Sequence, residues 1–186
     1  MSDKQRWDQK YAGRRVEAQI SADPLVVHYL PQMSGHGLAL DVAAGTGDNA
    51  CLLAQSGYQS FAIDISIEGL KLCRAKARSN GLTVYAFVAD LSKYPLPVSR
   101  FDVVVVMRFL NRALYPQLKN AVRPGGWLFY KTFNERYLQS RPDFPRAYVL
   151  NTGELRETFA DWLEVATNDL PKNRDTTSFW VGRRPN

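Results

Sequence analysis

A short apolar run, Gly37-Leu-Ala-Leu-Asp41-Val42, leads straight into Ala43-Ala-Gly45-Thr-Gly47, and no other stretch constrains the fold of this chain as much. The run reads as a buried parallel strand, because strands covered on both faces are continuously apolar rather than alternating. Gly45 and Gly47 allow a tight turn and close passage of the backbone past a ligand. From Asp48 to Ser56, Ala50, Leu53 and Ala54 fall at helical spacing, and Gly57 is placed to cap that helix. Gln59-Ser-Phe-Ala-Ile63 then reads as a second strand closing on Asp64. Strand, glycine turn, helix, strand and acid compose a mononucleotide-binding half of a doubly wound sheet.

Two kinds of ligand compete for such a turn. Gly45-Thr-Gly47-Asp-Asn-Ala50 matches the dinucleotide fingerprint G-x-G-x-x-G/A, with Asp64 at a suitable distance. Asp41 argues the other way. It is expected at the carboxyl end of the strand, near the helix N-terminus where a pyrophosphate lies in dinucleotide folds. An anion at that point repels a diphosphate and attracts a cationic amine, and Asp48 in the first helical turn adds to the same bias. S-adenosylmethionine carries an ammonium and a sulfonium but no phosphate, so it is the favoured cofactor.

With these residues in place, the pattern resembles the class I S-adenosylmethionine-dependent methyltransferases, whose first motif is an acid followed by glycines. This chain departs at the first glycine, where Ala43 stands. Later motifs follow in order: Phe87-Val-Ala-Asp90-Leu91, Phe101-Asp-Val-Val-Val-Val-Met107, and Arg123-Pro-Gly-Gly-Trp-Leu-Phe-Tyr130. The resemblance implies an α/β, Rossmann-like sheet of seven strands, mostly parallel with an antiparallel last strand and with helices on both faces. It also implies that Asp41, Ala43, Gly45 and Gly47 receive the methionine end and that Asp64 binds the ribose hydroxyls. Asp90 and Leu91 frame the adenine, and Ile65 and Met107 complete the cofactor residues. Trp7-Asp8-x-x-Tyr11 is similar to the opening of many small methyltransferases, which implies that residues 1–33 are a lead covering the cofactor and Tyr11 a lid or acceptor contact; the alternative is simple packing of this helix on the sheet. Arg108-Phe-Leu-x-Arg112, Tyr130-Lys-Thr-Phe133 and Gly153-Glu-Leu155 look most like the small tellurite-resistance-type methyltransferases.

The remaining elements are read from pattern alone. A polar helix is expected from Asp3 to Ile20 and a second from Pro24 to Tyr29. A further helix from Ser66 to Ser79 has Ser66 as N-cap, Ile67, Leu70, Cys73 and Ala77 inward, and Lys71, Arg74, Lys76 and Arg78 as a solvated basic end. After a proline-rich loop from Asn134 to Leu150 come a helix from Glu154 to Phe159, with Thr152 as its cap, and strands at Trp162–Thr167 and Thr177–Gly182.

At 186 residues the chain is read as one methyltransferase domain, 1–186, with no room for a separate substrate domain. No segment approaches a membrane span, and the first residues lack the apolar core of a signal peptide, so a cytoplasmic protein is expected. Cys51 and Cys73 fall in helical patterns as packing residues, and His28 and His36 join no cluster, so no metal site is expected.

Ligands of open parallel sheets lie outside the carboxyl ends of the strands. Arg108, Arg112 and Arg136, with Lys131, follow strands four and five and suggest an acceptor bearing negative charge, suited to guanidinium forks; the alternative is that the arginines pair with local acids. Methyl transfer from a sulfonium is a direct displacement, so a thiolate or oxyanion acceptor needs no general base, and no catalytic residue is singled out. Arg108-Phe-Leu-Asn111 is neither the Asn/Asp-Pro-Pro-aromatic motif of enzymes that methylate exocyclic amines nor the Pro-Cys of cytosine C5 enzymes. The net charge of +6 keeps an RNA acceptor open as the alternative to a small molecule.

Overall fold

The computed structural model describes all 186 residues. Seven strands form one sheet in the order β3-β2-β1-β4-β5-β7-β6. The chain divides into two compact units, Met1–Leu96 and Pro97–Asn186.

In the first unit, β1 (Leu38–Val42), β2 (Gln59–Asp64) and β3 (Val84–Val88) are parallel, with Leu40 opposite Phe61 and Phe61 opposite Tyr85. The crossovers are α3 (Asp48–Gln55) and α4 (Ile67–Ser79). Because side chains alternate across a strand, Ser60 and Ala62 of β2 turn toward these helices. There Ala50, Cys51, Leu70, Cys73, Ala77 and Val84 form a core of small side chains that lets helix and sheet pack closely. Gly57, in the left-handed region at φ 96°, ends α3 as the sequence requires.

Ahead of β1 stand α1 (Asp3–Tyr11) and α2 (Pro24–Tyr29). The first helix is half as long as the pattern suggests. Gly13, at φ 72°, takes the chain out of helical geometry, and the segment beyond it returns by hydrogen bonding to unit residues such as Asp48, which accepts the Ser21 amide at 2.8 Å. Ser2 starts α1 with a capping box closed by Gln5.

The second unit carries β4 (Phe101–Met107) parallel to β5 (Val122–Phe133), with α5 (Tyr115–Ala121) between them. A short α6 (Tyr137–Ser140) and α7 (Glu154–Thr158) precede β6 (Leu163–Thr167) and β7 (Thr177–Arg183). The last strand runs antiparallel to both neighbours, as expected. Tyr115, Tyr130, Phe159, Trp162 and Trp180 interlock edge-on or stacked beneath α5 and α7. The cap of α7 is not Thr152: Gly153 sits there at φ 83°, and Asp169, from beyond β6, accepts the Gly153 and Leu155 amides at 3.0 and 2.8 Å.

Candidate functional site

The glycine turn is tied down by the two carboxylates that flank it. Asp64, at the carboxyl end of β2, accepts the Gly45 amide on one oxygen and the Ser66 amide on the other, both at 2.8 Å. One side chain therefore joins the turn after β1 to the start of α4. Asp41 is turned inward. It is 1% exposed and accepts the Ala50 amide at 3.1 Å, so it caps α3 from within. Burial, then the charges of Asp64 and Asp48, push its carboxyl up to about 8. Burial likewise raises Asp64. The picture of Asp41 as a fixed anion facing the ligand is thereby corrected: desolvation outweighs the capping hydrogen bond and holds a proton on it near neutrality.

Asp48 differs: it stays ionised, as expected, but its partners lie within the unit. Burial pushes its carboxyl up, but bonds from Lys76, the Ser21 amide and Thr46 outweigh burial and bring it below the ordinary carboxylate range. Lys76, expected on a solvated helix end, is 4% exposed and ion-paired with Asp48 across the two helices. Ile67 exchanges places with it, 42% exposed instead of inward. The cysteines pack as expected, and Cys73 lies so close to Gly47 that any Cβ there overlaps its sulfur.

Ala43 takes the left-handed conformation, φ 55°, at the point where related motifs carry glycine. An L-residue there costs about 1–2 kcal/mol, only partly offset by the lower unfolded entropy of alanine. Ala43→Gly is expected to raise stability by about 0.5–1 kcal/mol in urea denaturation; a loss of stability rules out strain at this turn.

Tyr11 reaches this turn rather than the far end of strands four and five. A Cβ on Gly45 would sit 2.5 Å from its hydroxyl, and its ring also covers Gly69. Burial, then the nearby Asp64 charge, raise its phenol to about 12. Asp8 holds α1 in place by accepting the Ser66 hydroxyl at 2.7 Å and the Glu68 amide at 3.3 Å. Lys4, then Ser66, hold Asp8 down to about 2. The motif Trp7-Asp8-x-x-Tyr11 includes Asp8 but gives it no role, since nothing in its spacing signals a partner 58 residues away. Asp90 turns back on its own loop, accepting the Ser92 amide and hydroxyl at 3.0 and 2.6 Å, while Leu91 is buried and Ile65 half-buried.

In the second unit, Met107 closes β4, half-buried. Arg108 follows in the left-handed region at φ 55°, exposed and free of ion pairs. Arg112 is a structural tie. It donates to the Ala147 and Val149 carbonyls at 2.9 and 3.0 Å and to Glu154 at 2.7 Å, so the alternative of pairing with an acid is what the structure shows, with Glu154 as the acid. Arg136 is held through Nε by the Asn173 carbonyl at 2.7 Å and lines a cavity of about 230 Å³ with Asn134, Gln139, Thr152 and Ser178. Along the loop after β5, Phe133 stacks on Tyr137 at 4.1 Å, and Phe144 meets both edge-on at 5.5 and 5.1 Å. Sequence reading missed this cluster because the rings have no regular spacing. No group of three or more His, Cys, Asp or Glu side chains is arranged to hold a metal ion, and no helix is long and apolar enough to cross a membrane.

Residues 39–126 match the family described as a methyltransferase domain. The ubiquinone biosynthesis O-methyltransferase of Leptothrix cholodnii is 31% identical over 122 residues, 60% of this chain and 52% of that protein. The chain thus spans about half the length of the curated relatives it matches. Among solved structures, TehB from Haemophilus influenzae superposes with a TM-score of 0.72 at 17% identity, over 89% of this chain and 63% of that one. An S-adenosylmethionine-dependent methyltransferase from Mesorhizobium loti superposes at 0.71 and 15% identity, over 90% and 100%. These structural likenesses establish the fold, and the matched segment contains the glycine turn and both carboxylates. Residues 39–126 are therefore similar to a methyltransferase domain, set in a fold that the solved methyltransferases share.

Proposed function

We propose that this chain transfers the methyl group of S-adenosylmethionine to a small, planar acceptor bearing negative charge, with a phenolic oxygen as the first choice and a thiolate as the second. The observation that carries the reading is the stack of Phe133, Tyr137 and Phe144 in the same unit as the exposed, unpaired Arg108. Aromatic side chains grip a planar ring, and a guanidinium favours the ionised form of an acceptor oxygen. The name of the Leptothrix cholodnii relative supports oxygen as the acceptor atom.

The chemistry asks little of the side chains. The acceptor's lone pair forms the new bond to the methyl carbon as the carbon–sulfur bond breaks, its electron pair returning to sulfur to leave S-adenosylhomocysteine. A phenol loses its proton to solvent before attack. Holding the two reactants in line and excluding water is the main contribution of the protein. The cofactor's methionine end, ribose and adenine are assigned to the turn at Ala43–Gly47, to Asp64 with Ile65, and to Asp90 with Leu91, in that order.

An RNA acceptor has less support. Lys76, Arg112, Lys119, Arg123, Arg146 and Arg156 are each paired with an acid, so these six are not free to track phosphates. A labelled-methyl survey of catechols, aryl thiols, chalcogen oxyanions and RNA tests the assignment. Label is expected on catechol oxygen, with Arg108→Ala raising KM about tenfold, equal to one charge-assisted hydrogen bond. Label on RNA alone, with steep loss as salt rises, sinks the small-acceptor reading.

A further inference from the structure

β3 is the outermost strand of the sheet and pairs on one side only, with β2. Natural edge strands guard their free amides and carbonyls with lysine, proline, bulges or a covering element. β3 carries none of those residues: it reads Val84-Tyr-Ala-Phe-Val88, uncharged from end to end. Tyr85, Phe87 and Val88 are 43%, 54% and 47% exposed, a cost in apolar exposure that soluble surfaces generally avoid in contiguous form.

The order of these five residues is the informative part. About Ala86 the strand is chemically palindromic, valine matching valine and one aromatic matching the other. A two-fold axis through Ala86 lays a second copy of β3 antiparallel to the first. Val84 then faces the second copy's Val88, Tyr85 faces its Phe87, and Ala86 faces its own mate. Directly opposed residues of an antiparallel pair point to the same face, so every cross-strand pair is apolar and the two that flank the central Ala86 pair are aromatic on aromatic. Self-complementarity of this kind is what an isologous interface demands.

The rings argue against a nucleic-acid platform on the same face. Phe61 stacks on Tyr85 at 5.2 Å and 26°, and on Phe87 at 6.2 Å and 18°. No lysine or arginine accompanies these rings on the strand, whereas a nucleic-acid platform pairs stacking rings with a positive groove. We propose that β3 is a homodimerisation edge, through which two copies of this chain join their sheets antiparallel about Ala86.

Sedimentation equilibrium on the full chain tests this. The wild type is expected to shift from the 21.1 kDa monomer mass to twice that mass as concentration rises. Tyr85→Lys and Phe87→Glu, each alone, are expected to leave only monomer, since each sets a charge against a ring twice. The double variant Tyr85→Lys/Phe87→Glu places opposite charges face to face twice across the axis and is expected to recover the dimer. Recovery distinguishes a paired interface from simple damage to the strand, and thermal melts of the single variants report any unfolding. A wild type that stays monomeric throughout, single variants that still dimerise, or a double variant that does not recover each overturns the proposal. So does a monomeric wild type that binds single-stranded RNA and loses that binding on Phe87→Glu.

Discussion

Asp41→Asn is expected to raise the thermal stability of this protein at pH 8 and to leave it nearly unchanged at pH 4. The carboxyl is completely buried, its folded pKa lies near 8, and its ordinary value is 3.8. An acid whose pKa is raised by folding holds its proton more tightly in the native state. Between pH 4 and 8 the unfolded chain releases that proton and the folded chain keeps it, so the wild type loses stability as pH rises through this window. Asparagine mimics the neutral acid, can still accept the Ala50 amide and does not titrate. Each unit of displaced pKa corresponds to about 1.4 kcal/mol, and with allowance for relaxation around the charge a gain of roughly 2–4 kcal/mol is expected at pH 8. In a chain of this size that is about 5–15 °C. Calorimetric melts of both proteins from pH 4 to 8 check it; parallel curves show that Asp41 is charged in the native state.

Glu154→Ala is expected to destabilise the second unit by about 3 kcal/mol, seen as a lower urea midpoint. One carboxylate accepts Arg112 at 2.7 Å, the Tyr115 hydroxyl at 2.8 Å, and both the backbone and side-chain nitrogens of Asn151 at 3.0 Å. Burial pushes this carboxyl up, but those bonds outweigh it and leave it below the ordinary range. A depressed acid contributes stability above its unfolded pKa and loses it as pH falls, so the variant's deficit shrinks on acidification. Truncation strands the Tyr115 hydroxyl next to Tyr130, whose own buried hydroxyl already lacks a hydrogen-bond partner. It also frees the loop that Arg112 holds through the Ala147 and Val149 carbonyls. Glu154→Gln keeps acceptor oxygen and volume and is expected to recover more than half of the loss. Equal midpoints for wild type and alanine variant refute the hub.

The strands and crossovers were legible because hydrophobic periodicity is local. β1, β2, β4 and the inward face of α4 at Leu70, Cys73 and Ala77 follow from spacing alone, and Asp64 was found because an acid at a strand end stands out. What the sequence hid depends on partners far along the chain. Lys76 looks like any basic residue near a helix end until Asp48, 28 positions away, is folded against it. Asp169 caps α7 from 14 residues downstream. Asp41 was located correctly and charged wrongly, because burial on every side is a property of the packed unit and not of the residues next to it. Arg112 and Arg108 are near neighbours with opposite fates, and only Glu154 and two loop carbonyls separate them.

Tyr11 spreads over Gly45 and Gly69, clasped there by the hold of Asp8 on the start of α4. A shift of the turn at Gly45 must carry the phenol ring with it, so the backbone between β1 and α3 and the helix Asp3–Tyr11 move as one piece.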